Sequence, residues 1–92
     1  MSSATRPLPL EMYAASKREA PDSLALIRVG DFYELFHDDA KVAARCLGLT
    51  ITSRSKAADS CPMAGFPYHQ LDRYLMNLVA SGHRVAVLEY VP

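Results

Sequence analysis

Phe32 and Glu34 stand two positions apart just beyond Gly30-Asp31, inside the run Val29-Gly30-Asp31-Phe32-Tyr33-Glu34-Leu35-Phe36-His37-Asp38-Asp39. If Phe32 to Phe36 is a strand, alternation sends Phe32 and Glu34 to one face and Tyr33 and Leu35 to the other. An exposed ring beside a carboxylate is unfavourable unless it is used. The pair offers a flat face for stacking and a hydrogen-bond acceptor next to it, which is the chemistry of recognition rather than of bond cleavage.

A catalytic pattern is present only in a loose form. Pro21-Asp22 followed by Asp39-Ala40-Lys41 echoes the Pro-Asp…Asp/Glu-x-Lys arrangement of metal-dependent nucleases, in which two acids hold Mg²⁺ and the lysine steadies the attacking water. Asp39 and Lys41 fall on a predicted helix, whereas that chemistry wants them on a strand. There is no Ser-His-Asp signature, no zinc-like Cys/His cluster, and none of the 4 glycines precedes a lysine in a phosphate-binding loop. No enzyme activity and no cofactor are therefore expected of these residues.

The elements that must position Phe32 and Glu34 follow from the apolar spacing. Met1 to Pro9 reads as a loose tail and residues 10–92 as one domain, with Leu10 to Ala20 a short amphipathic helix stopped by Pro21. Leu24 to Val29 is a nearly continuous apolar run, as expected for a central strand covered on both faces. Gly30-Asp31 is expected to turn the chain, with Gly supplying positive φ and the Asp31 side chain fixing the turn, so that Phe32 to Phe36 folds back beside the first strand. A helix runs from Asp38 to Leu47 with acids in its first turn, Arg45 near its end and Gly48 closing it. Leu49 to Thr52 is a short β-prone segment, Ser53 to Ser60 a polar loop, and Pro62 to Pro67 an irregular strand or bend that favours a sheet edge. Leu71, Tyr74, Leu75, Leu78 and Val79 then line one helical stripe, with Met76 on the surface and Ser81-Gly82 as the stop. Arg84 to Val91 reads as a last buried strand. The sum is a single α/β domain, a mixed β-sheet flanked by about three helices.

Size and charge limit the function. The 92 residues suffice for one core, half of them are hydrophobic, and 22% are charged. The 10 basic and 10 acidic residues cancel, so no global positive field draws the chain onto nucleic acid. Cys46 and Cys61 lie in apolar surroundings and no long apolar run is present, which fits free thiols in a reducing cytoplasm and no membrane association.

Gly30-Asp31-Phe32-Tyr33-Glu34-Leu35-Phe36 with Asp38-Asp39-Ala40, and Pro62-Met63-Ala64-Gly65-x-Pro67-Tyr68-His69 downstream, resemble the N-terminal mismatch-recognition domain of the MutS family of DNA mismatch repair proteins. The likeness covers Leu10 to Glu89 and extends to Ile51-Thr52-Ser53-Arg54 and Tyr74-Leu75-x-x-Leu78-Val79-x-x-Gly82. Two linked blocks are far less common by chance than either alone. The chain departs from the family at Pro7-Leu8-Pro9-Leu10-Glu11-Met12-Tyr13, where a Thr-Pro-Met-Met-x-Gln-Tyr-like string is usual, and at Leu88-Glu89-Tyr90, where Cys-Glu-Gln is usual.

The resemblance implies that Phe32 wedges against a mispaired base from the minor groove and that Glu34 hydrogen-bonds the same base. A mispaired base is already poorly stacked, so a ring can exchange base stacking for base-ring stacking, worth ~1–3 kcal/mol, while kinking the duplex. Glu34 is repelled by phosphates unless it meets a donor, and so penalises ordinary duplex. Arg54 and Lys56 are expected to contact phosphates, while Met63 and Pro67-Tyr68-His69 buttress the wedge or line the groove. The partners implied are double-stranded DNA with mismatches or small loops and the remaining MutS-type domains. The family's dimers carry their ATP-binding and ATPase machinery elsewhere, and the expected location is the cytoplasm, at the nucleoid when DNA-bound. Two other readings remain: an interaction module that keeps the fold without competent DNA recognition, and the nuclease-like domain.

Overall fold

The computed structural model describes residues 8–53 and 61–89. Its first element is helix α1, Pro9–Glu19, and it starts earlier than the apolar spacing suggests because Pro9 is a ready-made first helical residue. Pro9 is buried, so it belongs to the domain and not to a tail. The Leu8 N–H donates to Glu11 Oε1 at 2.8 Å, satisfying one of the orphan donors of the first turn. Residues 1–7 of the expected tail lie outside the described residues.

Strands β1 (Ser23–Val29) and β2 (Phe32–Phe36) form the expected hairpin around Gly30-Asp31, with Val29 paired to Phe32 and Gly30 at φ +61°. Helix α2 (His37–Leu47) follows β2 with no intervening loop. The corner is made by His37 at φ +54°, the one described non-glycine residue with positive φ. Gly48, at φ +73°, closes α2 with its N–H donating to Ala44 O at 2.8 Å.

The strand expected at Leu49–Thr52 is shorter and later: β3 is Thr52–Ser53. Pro62–Pro67 is a regular strand, β4, followed by one 3-10 turn at Tyr68–Gln70, helix α3 (Leu71–Ala80) and strand β5 (Arg84–Glu89). The five-stranded mixed sheet runs β3-β4-β2-β1-β5, with β1 and β5 parallel and the other neighbours antiparallel. β4 is bracketed by β2 and β3, yet β3 pairs only with Pro62 and Met63. Among the described residues the other side of Ala64–Pro67 is therefore unpaired, which is how a strand bounded by prolines is tolerated.

Alternation divides the core in two. Leu24, Leu26, Tyr33, Leu35, Ala64 and Phe66 face α2 and α3, where they meet Ala40, Ala43 and Leu78. Ala25, Ile27 and Phe36 face α1 and meet Tyr13. β1 is thus covered on both sides, which is why its sequence is an unbroken apolar run. On α3, Leu78 is fully buried and Leu71 and Tyr74 pack beside it, with Leu75 half-buried. Val79 is 55% exposed, because it lies one residue, about 100°, around the helix from Leu78. β5 is an edge strand and not a buried one: Val87 is 41% exposed, and residues 90–92 lie outside the described residues. Among the described residues no helix is long and apolar enough to cross a membrane.

One node ties the layers together. The Cα pairing of β1 with β2 ends at Ile27 and Glu34. Deeper in, where continued pairing would set Ala25 opposite Phe36, the Ala25 N–H donates instead to Asp39 Oδ2 at 3.0 Å, so a helix side chain accepts a bond outside the ladder. The other oxygen, Asp39 Oδ1, accepts from Lys17 Nζ at 3.0 Å, and Lys17 also donates to Ser23 O at 2.6 Å. α1, β1 and α2 are joined through this single carboxylate.

Candidate nucleic-acid interface

Alternation along β2 places Phe32, Glu34 and Phe36 on the face that carries α1. α1 covers only the inner part of that face. Phe36 is fully buried there with the Tyr13 ring edge-on at 6.0 Å, whereas Phe32, at the hairpin tip beyond the helix, is 50% exposed. Glu34 lies between them, half-buried.

The uncovered part of the face is the floor of a groove of about 610 Å³. Phe32 and Glu34 form one wall, Met63 and Gly65 of β4 the next, and Gly48 to Thr50 with Thr52 the far side. Glu34 pairs with Gly65 across the ladder. A Cβ on Gly65 would stand 2.8 Å from the Tyr33 carbonyl oxygen, too close for any side chain without displacing β2, and 3.7 Å from Glu34 Cγ. The glycine therefore lets β4 approach β2 closely and leaves bare backbone beside the carboxylate.

Of the residues expected to touch DNA, the fold brings Phe32, Glu34 and Met63 to this groove. His69 sits apart, exposed on the 3-10 turn with its ring 5.8 Å from that of Tyr68. Pro67 pairs with Phe32 across the ladder and so lies beside it at the tip. Arg54 and Lys56 lie outside the described residues. Asp31 enters the turn through its main chain: its carbonyl accepts the Tyr68 N–H at 2.8 Å.

Arg28 and Tyr68 stand 40 positions apart with no local signal linking them, yet the Arg28 guanidinium carbon lies 4.1 Å from the centre of the Tyr68 ring. On the same face as Arg28, opposite the groove, Tyr33 donates its hydroxyl to Glu89 Oε2 at 3.1 Å, and burial together with that bond pushes its pKa above the ordinary tyrosine value. The residues of the nuclease-like pattern are employed otherwise. Asp39 and Lys41 both lie on α2, and both carboxylate oxygens of Asp39 are taken by Lys17 and the Ala25 N–H. Cys46 and Cys61 are free thiols, Cys61 buried.

The family profile of MutS domain I matches residues 9–91. The chain is similar to the DNA mismatch repair protein MutS of Rhodopirellula baltica, 54% identical over 83 residues, and to that of Methanothrix thermoacetophila, 50% identical over 84. The same named protein of Salinibacter ruber is 50% identical over 83 residues. Each alignment covers 89% of this chain, which spans 9 to 10% of the length of these relatives. By its sequence over nearly its whole length, the chain belongs to the MutS domain I family.

Proposed function

We propose that this domain reads mismatched base pairs in duplex DNA as one part of a mismatch repair protein, with Phe32 as the wedge and Glu34 as the hydrogen-bonding partner of the disturbed base. The observation that carries the reading is a half-exposed phenylalanine at a hairpin tip, on the same face as a carboxylate and lining the same groove. A ring held outside the core is available to enter a base step, and the exchange of base stacking for base-ring stacking is least costly where pairing is already broken. Glu34 disfavours matched duplex, whose phosphates repel it, and is compensated where a displaced base offers a donor. Met63 lines the groove beside them, and Arg54 and Lys56 contact phosphates.

The domain's share of the work is recognition. ATP binding and hydrolysis belong to other parts of the relatives' much longer chains, and the partners are mismatched DNA and those other domains, in the cytoplasm. No cofactor enters this role. Because the chain's net charge is +0, binding by the domain alone should be weak and steeply salt-dependent.

The test is Glu34→Ala in a full-length protein carrying this domain, titrated against matched and mismatched duplexes. Discrimination should fall while affinity for matched DNA holds or rises. A uniform loss of affinity for both duplexes would overturn the role given to Glu34.

A further inference from the structure

The Gly30-Asp31 turn is held from behind by two residues that do not face the groove. Arg28 lies on the sheet face opposite Phe32, paired with Tyr33. Its Nε donates to Gly30 O at 3.1 Å, and its guanidinium lies over the Tyr68 ring at 4.1 Å. Tyr68 in turn donates its backbone N–H to Asp31 O at 2.8 Å. Both carbonyls of the two-residue turn are thereby engaged, one by each member of a stacked cation and ring.

We infer that Arg28 and Tyr68 are positioning residues: a latch that fixes the hairpin tip so that Phe32 is presented to DNA in one orientation. The tip needs such a device. Its turn centres on a glycine at φ +61°, its outer face carries the exposed Phe32, and hairpin ends open at lower free energy than core strands. A wedge that swings by an ångström spends its stacking energy on being ordered when it binds. Arg serves where Lys would not, because the planar guanidinium stacks on the ring while its Nε–H reaches the carbonyl at the side. Tyr68 follows Pro67, which pairs with Phe32, so the 3-10 turn leaving β4 brings the second half of the latch to the tip.

The effect on mismatch preference rests on the wedge reading above; the effect on tip order does not. The first measurement is therefore amide hydrogen exchange in the 92-residue chain at Phe32 and Tyr68, with Leu78 as the core reference. Arg28→Lys and Tyr68→Leu should speed exchange at the tip about fivefold and leave Leu78 unchanged, whereas Tyr68→Phe, which keeps the ring, should match the parent. In the full-length protein the same two variants should narrow the ratio of mismatched to matched affinity, and Tyr68→Phe should keep it. Unchanged exchange at the tip, or acceleration at Leu78 equal to that at the tip, overturns the latch. So does an affinity loss shared by matched and mismatched DNA in Arg28→Gln and restored by Arg28→Lys, which would make Arg28 a phosphate contact. Were Phe32→Ala to keep full preference, the wedge reading would fail while the exchange result still stood.

Discussion

Phe36 and Phe32 occupy the same strand and the same face, four residues apart, and the fold treats them oppositely. α1 ends the comparison in favour of the core at one site: Tyr13 lies edge-on to Phe36, which is fully buried with Ala25 and Ile27. At the other site none of the described helices reaches, and Phe32 stays 50% exposed. The same contrast holds for the acids nearby. Asp39, at the inner end of the ribbon, is 5% exposed and bonded through both oxygens, while Glu34 is half-buried at the groove wall. Similar side-chain chemistry is buried scaffold at the inner end of the face and exposed groove wall at the hairpin tip, and the difference follows how far α1 extends over the sheet.

Substitutions should separate the two ends by size of effect. Phe36→Ala should cost ~3–5 kcal/mol in denaturant unfolding, since it opens a cavity in a packed core. Asp39→Ala should follow at about 2–3 kcal/mol, because it strands the buried Ala25 N–H and a Lys17 ammonium that is only 24% exposed. Gly65→Ala should cost about 1–3 kcal/mol, as the new methyl pushes β4 away from the Tyr33 carbonyl; a neutral result would show that the two strands can part without strain.

A smaller effect belongs to pH. Burial, then the negative charge of Asp39, pushes the Tyr13 hydroxyl from 10.0 up to about 12. Above pH 10.0 the unfolded chain releases this proton while the folded one keeps it, so stability should fall from pH 10.0 upward and the contribution should be gone above about 12. Tyr13→Phe should flatten that part of an alkaline unfolding series.

Much of this division could be read in the sequence. The hairpin showed in Gly30-Asp31 between two apolar segments, α2 in its acids and closing Gly48, and the shared face of Phe32 and Glu34 in simple alternation. What stayed hidden depends on distant partners. Asp39 reads as an ordinary first-turn acid, because nothing local says that the pairing of β1 with β2 will end at Ile27 and leave the Ala25 N–H to a helix side chain. Arg28 reads as a polar break in a buried strand, because its partner Tyr68 comes from beyond β4. β5 reads as buried because its apolar residues pair with β1 along one side, and a sequence does not tell an edge from a centre when both are apolar. The groove itself is the area that α1 leaves bare, a matter of helix placement rather than of composition.

Phe32 is held outside the core at the hairpin tip, where the proposed wedge must stand. The direct test is Phe32→Ala in a full-length protein carrying this domain, with thermal unfolding and the ratio of mismatched to matched duplex affinity read on the same preparation. Stability should stay within ~0.5 kcal/mol of the parent, as for an exposed position, while the preference for mismatched DNA disappears. A core-sized loss of stability like that of Phe36→Ala, or an intact preference, would rule out Phe32 as the wedge.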